Sequence, residues 1–480
     1  MIFTQPFIWL IVLALIFIGL SIVWSNLFPE TLFYSRKFLH ITVISILAYA
    51  IQIINPIHHT HLVFFLCFVE LILIFAVFKG FFQTEGRKSW GIIYFLPPTI
   101  LLLTQFPHLT HEISISLLIL ALADGFSAVF GRVFQHHLFG IFPQINHNKS
   151  NHKRHWNTVH WGNDQKTFVG FFVFVLITFM VLFQFEISNN LLILSFISIF
   201  VGTVELLSGK GSDNFFIPLV SFFLILFFRN HEIHSTYIFM KHWPLIIVSI
   251  IGVFAVYRMQ WLTVSGIVFA IYLAIFVFTC EISIWPLIVF FVLGTLAGKM
   301  NKGVESDEKH ERARDAFQVL ANAGVVMLLL VLSGSGVVFQ ELNFLILVSI
   351  AVACSDTLSS EFGMRFGKKT FNVLTFKPLE KGVSGGVSLA GFLGAFFGAC
   401  AIACFNLKGF WLILIWGILG SLTDSVFGML FQAKYLNQNK ITDLKTDNLV
   451  GGFAFVTNDL VNLMSNAVIV ASAGFVESIF

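Results

Sequence analysis

Charge is scarce in this chain. Asp, Glu, Lys and Arg together make up 11% of its 480 residues, whereas hydrophobic residues make up 57% and 60 residues are Phe. The mean hydropathy is +0.88. This composition is typical of a polytopic membrane protein and excludes a soluble domain of ordinary size. The formal net charge is +3, which is too small to indicate nucleic-acid binding.

Cysteine is also rare, and the cysteines that occur are scattered through apolar segments without metal-ligand spacing. They are Cys67, Cys280, Cys354, Cys400 and Cys404. We expect them to be small, buried residues. The histidines from His136 to His160 could suggest zinc, but their spacing is irregular and no cysteine lies among them. We interpret that stretch as a polar loop.

Long apolar runs fill most of the remaining sequence. About sixteen of them could cross a bilayer if short or broken runs are included. The predicted fold is therefore an all-α polytopic integral membrane protein with about 16 transmembrane helices in two helical bundles. We expect the first run to be a retained span, because no basic segment precedes it and no small-residue cleavage site follows. Pro97 and Pro98 lie inside the fourth run and predict a break or kink in that helix.

A polar interruption at residues 229–243 separates two sets of about eight apolar runs each. We place a domain boundary there, which gives domains 1–235 and 236–480. Lys and Arg concentrate in alternate loops, which the positive-inside bias assigns to the cytoplasm, so both termini are expected to be non-cytoplasmic. The predicted location is a bacterial-type inner or plasma membrane with the polar motifs on its cytoplasmic face.

The most conspicuous polar residue of the first half is Asp124, near the end of an apolar run. A charge at membrane depth is costly and indicates a site. Arg132 follows eight residues later, and a carboxylate can hold Mg²⁺ while an arginine binds phosphate oxygens. Lys166 precedes a predicted helix start, where backbone amides favour an anion. Glu205 and Asp213 are expected at the same face.

The candidate residues of the first half fall into four roles. They are Asp124 and Glu205 for catalysis, Asp124 and Asp213 for a metal ion, Arg36, Lys37, Gly131, Arg132 and Lys166 for nucleotide or phosphate, and His40 and Asn214 for polar support. The alternative interpretation is that these charged residues are interfacial caps and snorkelling anchors.

Part of the Asp124 segment recurs in the second half. Asp356, like Asp124, is followed by Ser three residues later and by Phe-Gly six and seven residues later. Each segment precedes a Lys-to-Gly step of equal length, Lys166 to Gly170 and Lys381 to Gly385. The second step is a basic, glycine-rich turn before an apolar run, which suits a phosphate.

Further polar residues of the second half lie on three other apolar runs. A stripe from Arg314 to Asn322 has helical spacing, so its side chains share one face. The candidates are Asp356 and Asp424 for catalysis, Asp356, Glu361, Asp424 and Asp459 for a metal ion, Arg314, Lys377, Lys381 and Gly385 for nucleotide or phosphate, and Gln318, Asn322, Asn458 and Asn462 for polar support. Hydrogen bonding between buried helices is the alternative interpretation.

With these motifs in order, residues 30–228 resemble the phytol kinase and dolichol kinase family. The resemblance rests on Arg36 to Ile41, Gly91 to Tyr94, Asp124 to Arg132, Lys166 to Gly170, and Glu205 with Asp213, Asn214 and Pro218. It implies a CTP-type or related nucleotide donor, Mg²⁺ and an isoprenoid alcohol acceptor. The loop between Arg132 and Lys166 looks longer than is usual in that family. Phosphatidate cytidylyltransferases share a related Asp, Gly and Lys signature.

The second half, from about residue 245 to residue 470, resembles the phytyl-phosphate kinase group, which includes the transmembrane protein 19 relatives. The resemblance rests on Arg314 to Asn322, Asp356 to Gly363, Ser384 to Gly391, Gly417 to Gly428 with Gln432, and Asn458 to Asn462. It implies that the acceptor of this half is an isoprenoid monophosphate.

Together the two resemblances imply a bifunctional membrane isoprenoid kinase. The first half would phosphorylate a long-chain alcohol such as phytol or geranylgeraniol, and the second half its monophosphate, with CTP or ATP as donor and Mg²⁺ as cofactor. The expected partners are the nucleotide, the alcohol and its monophosphate, and the lipid bilayer, with no nucleic acid. Two alternatives stay open: a CTP-dependent cytidylyltransferase of a lipid phosphate, and an isoprenyl-phosphate transporter or flippase.

Overall fold

The computed structural model describes residues 5–479 with gaps. The gaps are 55–58, 80–82, 85–86, 89–90, 92, 139–157, 162–163, 210, 232–255, 257, 302–312, 438–439, 444–445 and 447. The chain divides into two compact units, Met1–Glu232 and Ile233–Phe480, called unit 1 and unit 2 below. The domain boundary predicted between residues 235 and 236 lies outside the described residues, as does most of the histidine-rich loop.

In its described residues unit 1 is helical, with two short hairpins between helices. Its helices are α1 Gln5–Leu27, α2 Leu32–Ile53, α3 His59–Phe78, α4 Leu96–Gln105, α5 Thr110–Leu118, α6 Gly125–Leu138, α7 Phe168–Gln184, α8 Leu191–Leu207 and α9 Asp213–Asn230. Its antiparallel hairpins are β1 Gln83–Thr84 with β2 Arg87–Lys88, and β3 Thr158–Trp161 with β4 Asp164–Thr167.

The centre of unit 1 is one long helical segment that combines α5 and α6. A π-helical stretch, Ile119–Asp124, joins the two helices and ends at Asp124. The residues before Asp124 are apolar and almost completely buried, and α2, α7 and α9 pack around the segment. A π-helical turn inside an α-helix is often found at a functional site, so Asp124 becomes the starting point for the site described below.

Pro97 and Pro98 start a helix instead of interrupting one. Helix α4 begins at Leu96, and the prolines occupy its first turn. In the first turn the backbone N–H that proline lacks has no helical partner, so proline causes no loss there. The predicted break or kink inside a longer helix is therefore wrong.

In its described residues, unit 2 is also helical, with short strands between helices. Its helices are α10 Val264–Thr279, α11 Trp285–Met300, α12 Ala316–Gly334, α13 Leu342–Phe366, α14 Leu389–Ala403, α15 Phe410–Phe431 and α16 Asn458–Glu477. Its strands are β5 Phe371–Asn372 with β6 Gly386–Val387, and a three-stranded sheet β8-β7-β9 of β7 Lys434–Asn437, β8 Lys440–Thr442 and β9 Leu449–Gly451.

The core of unit 2 forms around α13, which contacts α11, α12, α14, α15 and α16. Helix α14 approaches α13 very closely through glycines. A Cβ atom at Gly394 would lie 2.4 Å from the carbonyl oxygen of Leu358, and one at Gly398 would lie 2.7 Å from that of Cys354. Small residues at such contacts allow helices to pack backbone to backbone where water cannot drive them together.

The predicted helical membrane class holds for the part of the chain that is described. Among the described residues, eight helices are long and apolar enough to cross a membrane. They are Trp9–Leu27, Pro29–Ile53, Thr110–Phe134, Asp213–Asn230, Ala316–Gly334, Leu342–Phe366, Phe410–Phe431 and Asn458–Glu477. Six further apolar helices are shorter, so the predicted number of about sixteen spans stays a prediction. The small sheets are an addition to the predicted all-α class.

The close contact of α13 and α14 makes a stability prediction. We expect Gly398→Ala to lower the unfolding free energy by about 1–3 kcal/mol, because the added methyl group meets backbone atoms of Cys354 that cannot move aside. Gly474→Ala is the matched control, since its Cβ would lie 3.6 Å from the Leu345 side chain, an ordinary contact. Thermal unfolding in detergent checks this; equal melting temperatures for the two variants would contradict it.

Candidate functional site

In unit 1 the carboxylate of Asp124 is buried and paired with two residues of α2. Lys37 Nζ donates to Asp124 Oδ2 at 2.8 Å, and His40 Nε2 lies 3.2 Å from the same oxygen. Lys37 and His40 are three residues apart on a helix, so their side chains share one face. Asp124 is 4% exposed, and a charge buried to this degree requires such partners.

A second cation, Lys166, lies at the other side of the same cluster. It is part of β4, and its Nζ donates to the Glu205 carboxylate, to the Glu205 carbonyl oxygen at 3.0 Å and to Asp213 Oδ2 at 3.2 Å. Burial lowers the pKa of Lys166, but the carboxylates of Glu205, Asp213 and Asp124 outweigh burial and raise that pKa above its ordinary value. Lys166 is therefore a permanent cation at this site.

The three carboxylates of unit 1 are close enough to share one ligand. One oxygen each from Asp124, Glu205 and Asp213 lies within 4.8 Å of the others. Carboxylate oxygens are the protein ligands that Mg²⁺ prefers. Lys37 and Lys166 already pair with these carboxylates, so a Mg²⁺ ion there would compete with the two ammonium groups.

The predicted pairing of Asp124 with Arg132 is not what the structure shows. Helix α6 continues through Arg132, which places that residue about 12 Å further along the axis than Asp124. Arg132 is exposed, and its guanidinium stacks on the Phe33 ring at 4.5 Å from the centroid. Arg36 is also exposed.

Two further candidates of unit 1 have structural contacts. Asn214 Nδ2 donates to the carbonyl oxygen of Gly91 at 2.8 Å, which fixes the start of α9 against the segment before α4. Gly131 allows α6 to approach the start of α7, because a Cβ atom there would lie 2.8 Å from Thr167 Oγ1.

In unit 2 most of the predicted site residues line a single cavity of about 350 Å³. Those residues are Arg314, Gln318, Asn322, Asp356, Glu361, Lys381, Gly385, Asp424, Asn458, Asp459 and Asn462. Lys377 is the exception: it is exposed and is not among the lining residues. The polar stripe of α12 and the carboxylates of α13, α15 and α16 therefore face one space.

The acidic wall of this cavity is the pair Asp356 and Asp424. Their side chains lie within hydrogen-bonding reach of each other. Ser465 Oγ donates to Asp424 Oδ1 at 3.0 Å, and Asn462 reaches the same oxygen at 3.2 Å when its amide nitrogen faces the carboxylate. Within the described ranges neither Asp forms an ion pair with Lys or Arg. Two facing carboxyl groups without a cation fit Mg²⁺ better than the neutralised cluster of unit 1 does.

The basic wall is formed by Arg314, just before α12. Its guanidinium lies beside Gly294 of α11, where a Cβ atom would be 3.0 Å from Nη2. Among the described residues it donates no hydrogen bond and forms no ion pair. Burial lowers the pKa of Arg314, and the charge of Glu361 partly offsets this. A partly buried guanidinium without a bound acceptor is suited to an anion that enters the cavity.

Glu361, predicted as a metal ligand, has contacts that favour an orienting role. Asn301 Nδ2 donates to Glu361 Oε2 at 2.5 Å and to the Glu361 carbonyl oxygen at 2.9 Å. The carboxylate also interacts electrostatically with Arg314. These contacts hold its carboxylate against Asn301 and bring its negative charge close enough to act on the Arg314 guanidinium.

The turn from Lys381 to Gly386 forms a third wall. Gly382 and Gly385 have φ angles of +89° and +85°, a conformation that favours glycine. A Cβ atom at Gly385 would also lie 2.5 Å from Met429 Cβ. Ser384 Oγ donates to Asp443 Oδ2 at 2.5 Å, and Gln432 Nε2 donates to the same oxygen at 2.9 Å.

Sequence reasoning missed three residues that line this cavity: Asp443, Trp261 and Lys299. Asp443 follows β8 in a polar loop that carried no recognisable motif. Trp261 and Lys299 belong to the edges of apolar runs, where Trp and Lys are common in any membrane protein. A signal specific to a binding site was therefore absent from the sequence at all three positions.

The repeated segment has a repeated geometry. In unit 1 a Cβ atom at Gly170 would lie 3.2 Å from the Ser127 carbonyl oxygen, and in unit 2 one at Gly391 would lie 3.1 Å from that of Ser359. The two serines follow Asp124 and Asp356 by three residues each. The helix that carries the Asp therefore contacts the next helix at the same place in both units.

The helix caps repeat as well. Thr167 caps α7 by accepting from Gly170 N at 3.0 Å, and Ser388 caps α14 by accepting from Gly391 N at 3.1 Å. The matching steps are thus Thr167–Gly170 and Ser388–Gly391, and the predicted match of Lys166–Gly170 with Lys381–Gly385 is wrong. One difference remains: Asp124 ends a π-helical stretch, whereas Asp356 lies within the continuous α13.

A family profile assigns the second half to a membrane family. The profile described as Integral membrane protein DUF92 matches residues 247–470, which lie in unit 2. Uncharacterized membrane protein MJ0933 of Methanocaldococcus jannaschii is 34% identical over 173 residues, which are 35% of this chain and 71% of that protein.

Two plant proteins are also similar. Protein VTE6, chloroplastic, of Arabidopsis thaliana is 30% identical over 192 residues, which are 37% of this chain and 53% of that protein. Protein PGR of the same plant is 27% identical over 223 residues, which are 39% of this chain and 77% of that protein. No solved structure matches the chain significantly.

The contacts of Lys166 make a prediction for unit 1. We expect Lys166→Met to lower the unfolding free energy by about 3–5 kcal/mol, because Glu205 and Asp213 then lose their cation. Adding Glu205→Gln removes one of the unpaired charges and should recover part of the loss. Arg132→Met, at an exposed position, is the control and should have little effect. Thermal unfolding in detergent checks this, and wild-type stability of Lys166→Met would refute it.

Proposed function

The chain belongs to the integral membrane protein family DUF92, and from that premise we propose that it is a bifunctional membrane isoprenoid kinase. In this proposal unit 1 transfers a phosphoryl group from CTP or ATP to a long-chain alcohol such as phytol or geranylgeraniol. Unit 2 then transfers a second phosphoryl group to the monophosphate. The resemblances of the two halves to phytol or dolichol kinases and to phytyl-phosphate kinases support this assignment.

The observation that carries the proposal is the composition of the unit 2 cavity. One wall holds Asp356 and Asp424, and the others hold the Arg314 guanidinium and the turn from Lys381 to Gly386. Phosphoryl transfer has little covalent chemistry for a protein to perform, and it requires positioning and neutralisation of negative charge. A cavity with carboxylates at one side and phosphate-binding groups at the other provides both.

The two steps make different demands, and the two sites differ accordingly. An alcohol must lose a proton when it attacks, so the first step requires a base, and unit 1 offers Asp124 and Glu205 at its carboxylate cluster. A monophosphate already has an ionised oxygen as nucleophile. The second step must instead bring two polyanions together, which requires the cations Arg314 and Lys381.

The proposed cofactor is Mg²⁺. Asp356 and Asp424 would hold it in unit 2, and Asp124 with Asp213 in unit 1; when bound, it supplies positive charge to the phosphate oxygens. The repeated contacts of Ser127 with Gly170 and of Ser359 with Gly391 support two sites of one type. We place both sites on the cytoplasmic face, where nucleotides are found, and both termini on the other face.

A two-substrate assay tests the proposal. Purified protein receives γ-labelled CTP or ATP with Mg²⁺ and either geranylgeraniol or geranylgeranyl monophosphate, and chromatography separates the products. We expect Asp124→Asn to reduce alcohol phosphorylation by about a hundredfold or more and to leave monophosphate phosphorylation intact. Asp356→Asn should have the reverse effect. Glu341→Gln, at an exposed carboxylate outside the cavity, should change neither step.

Other outcomes decide between the alternatives. Loss of both steps in each Asp variant would contradict two separate sites. Release of pyrophosphate with a CDP-lipid product would identify a cytidylyltransferase. Movement of isoprenyl phosphate across liposomes without nucleotide consumption would identify a transporter.

A further inference from the structure

Trp261 is an aromatic side chain in the wall of the unit 2 cavity that the proposed reaction does not yet use. It lies with Met259 and Gln260 at the edge of the cavity next to α11. Its indole N–H is buried and donates no hydrogen bond among the described residues. A buried donor without an acceptor is unfavourable, so the position of this ring lowers the free energy of unfolding.

The backbone around Trp261 is also unusual. Gln260 has a φ angle of +56°, in the left-handed region that residues other than glycine seldom adopt. Arg314 N donates to the Trp261 carbonyl oxygen at 3.1 Å, and Thr263 N donates to the Arg314 carbonyl oxygen at 2.9 Å. The strained turn therefore fixes the ring in register with Arg314. Strain of this kind persists where the surrounding structure maintains it, often at binding sites.

A cation lies over the ring. Lys299 Nζ, from the last turn of α11, is 4.5 Å from the centroid of Trp261. Phe291 of the same helix contacts the ring from another direction, with centroids 5.8 Å apart. Lys299 is exposed, so its ammonium can leave the ring for a phosphate oxygen without breaking a buried contact. The ring face it covers can then accept a flat aromatic group.

We propose that Trp261 stacks on the base of the nucleoside triphosphate donor of unit 2, and that Lys299 contacts its phosphates. This inference rests on the proposed kinase function. A nucleotide has an aromatic base, which can stack on the ring, and phosphates, which can bind the nearby guanidinium and ammonium groups. An isoprenyl chain has neither feature, and the neighbours Gln260, Thr295 and Lys299 are polar.

Kinetic measurements that treat the base and the phosphates of the nucleotide separately test this assignment. The full chain phosphorylates geranylgeranyl monophosphate with CTP or ATP, and tripolyphosphate serves as a competitor that carries phosphates without a base. We expect Trp261→Ala to raise the KM for nucleotide about tenfold or more. The KM for the monophosphate and inhibition by tripolyphosphate should stay unchanged. Arg314→Gln, in contrast, should weaken both nucleotide and tripolyphosphate, because it acts on the phosphates.

Two variants separate stacking from folding. Trp261→Phe keeps an aromatic face and should retain most nucleotide affinity, and Lys299→Gln should weaken nucleotide and tripolyphosphate together. Trp285→Leu is the matched control, since Trp285 is 63% exposed at the opposite end of α11, and it should change no KM.

The remaining outcomes overturn the inference. An unchanged nucleotide KM in Trp261→Ala would make the residue an interfacial anchor. A raised KM for the monophosphate alone would place the isoprenoid there instead. If the wild-type chain uses no nucleotide at all, the proposed function fails and this inference fails with it, whereas kinase activity with a wild-type nucleotide KM in every Trp261 variant refutes only the inference.

Discussion

A charge inside an apolar helix bundle has to be matched by an opposite charge, and this constraint explains most of the polar architecture of unit 1. Asp124 is matched by Lys37, and Glu205 and Asp213 by Lys166. Away from that cluster, the buried Glu112 pairs with Arg229. Transfer of an unpaired ion from water costs several kcal/mol. Glu70 of α3 stands apart, because it is buried and neither oxygen has a partner in the described part of the chain.

In unit 2 the same constraint is left partly unmet. Asp356 faces Asp424 instead of a cation, and Arg314 faces the cavity without an acceptor. A folded protein can leave such groups unpaired when a ligand supplies the missing partners. A metal ion would pair with the carboxylates, and phosphates would pair with the guanidinium. The carboxylate cluster of unit 1 is paired with lysines, whereas the Asp356 and Asp424 pair of unit 2 is not, although the Asp-bearing helices of both units share the same contacts with the next helix.

Much of the candidate site could be predicted from the sequence, because a charged residue within an apolar run is rare and energetically unfavourable. Such a residue therefore indicates a candidate site. This reasoning reached Asp124, Asp356 and Asp424 without any structure, and Lys166 was reached from the helix start that follows it. It failed for Arg132, because the partner of Asp124 comes from α2, about 87 residues earlier, and no local spacing reports such a contact. It also failed for Asp443 and Trp261, whose roles depend on where short turns bring them. Residue types common at loops and interfaces give no such signal.

The π-helical stretch before Asp124 determines the direction in which the following side chains point around the helix axis. Each residue of an α-helix turns the chain by about 100°, and a π-helical turn accommodates one residue more than an α-helical turn does. Residues Ile119–Asp124 therefore rotate all that follows relative to the buried face of α5. The direction in which Asp124 points is encoded by the number of residues before it as much as by their identity.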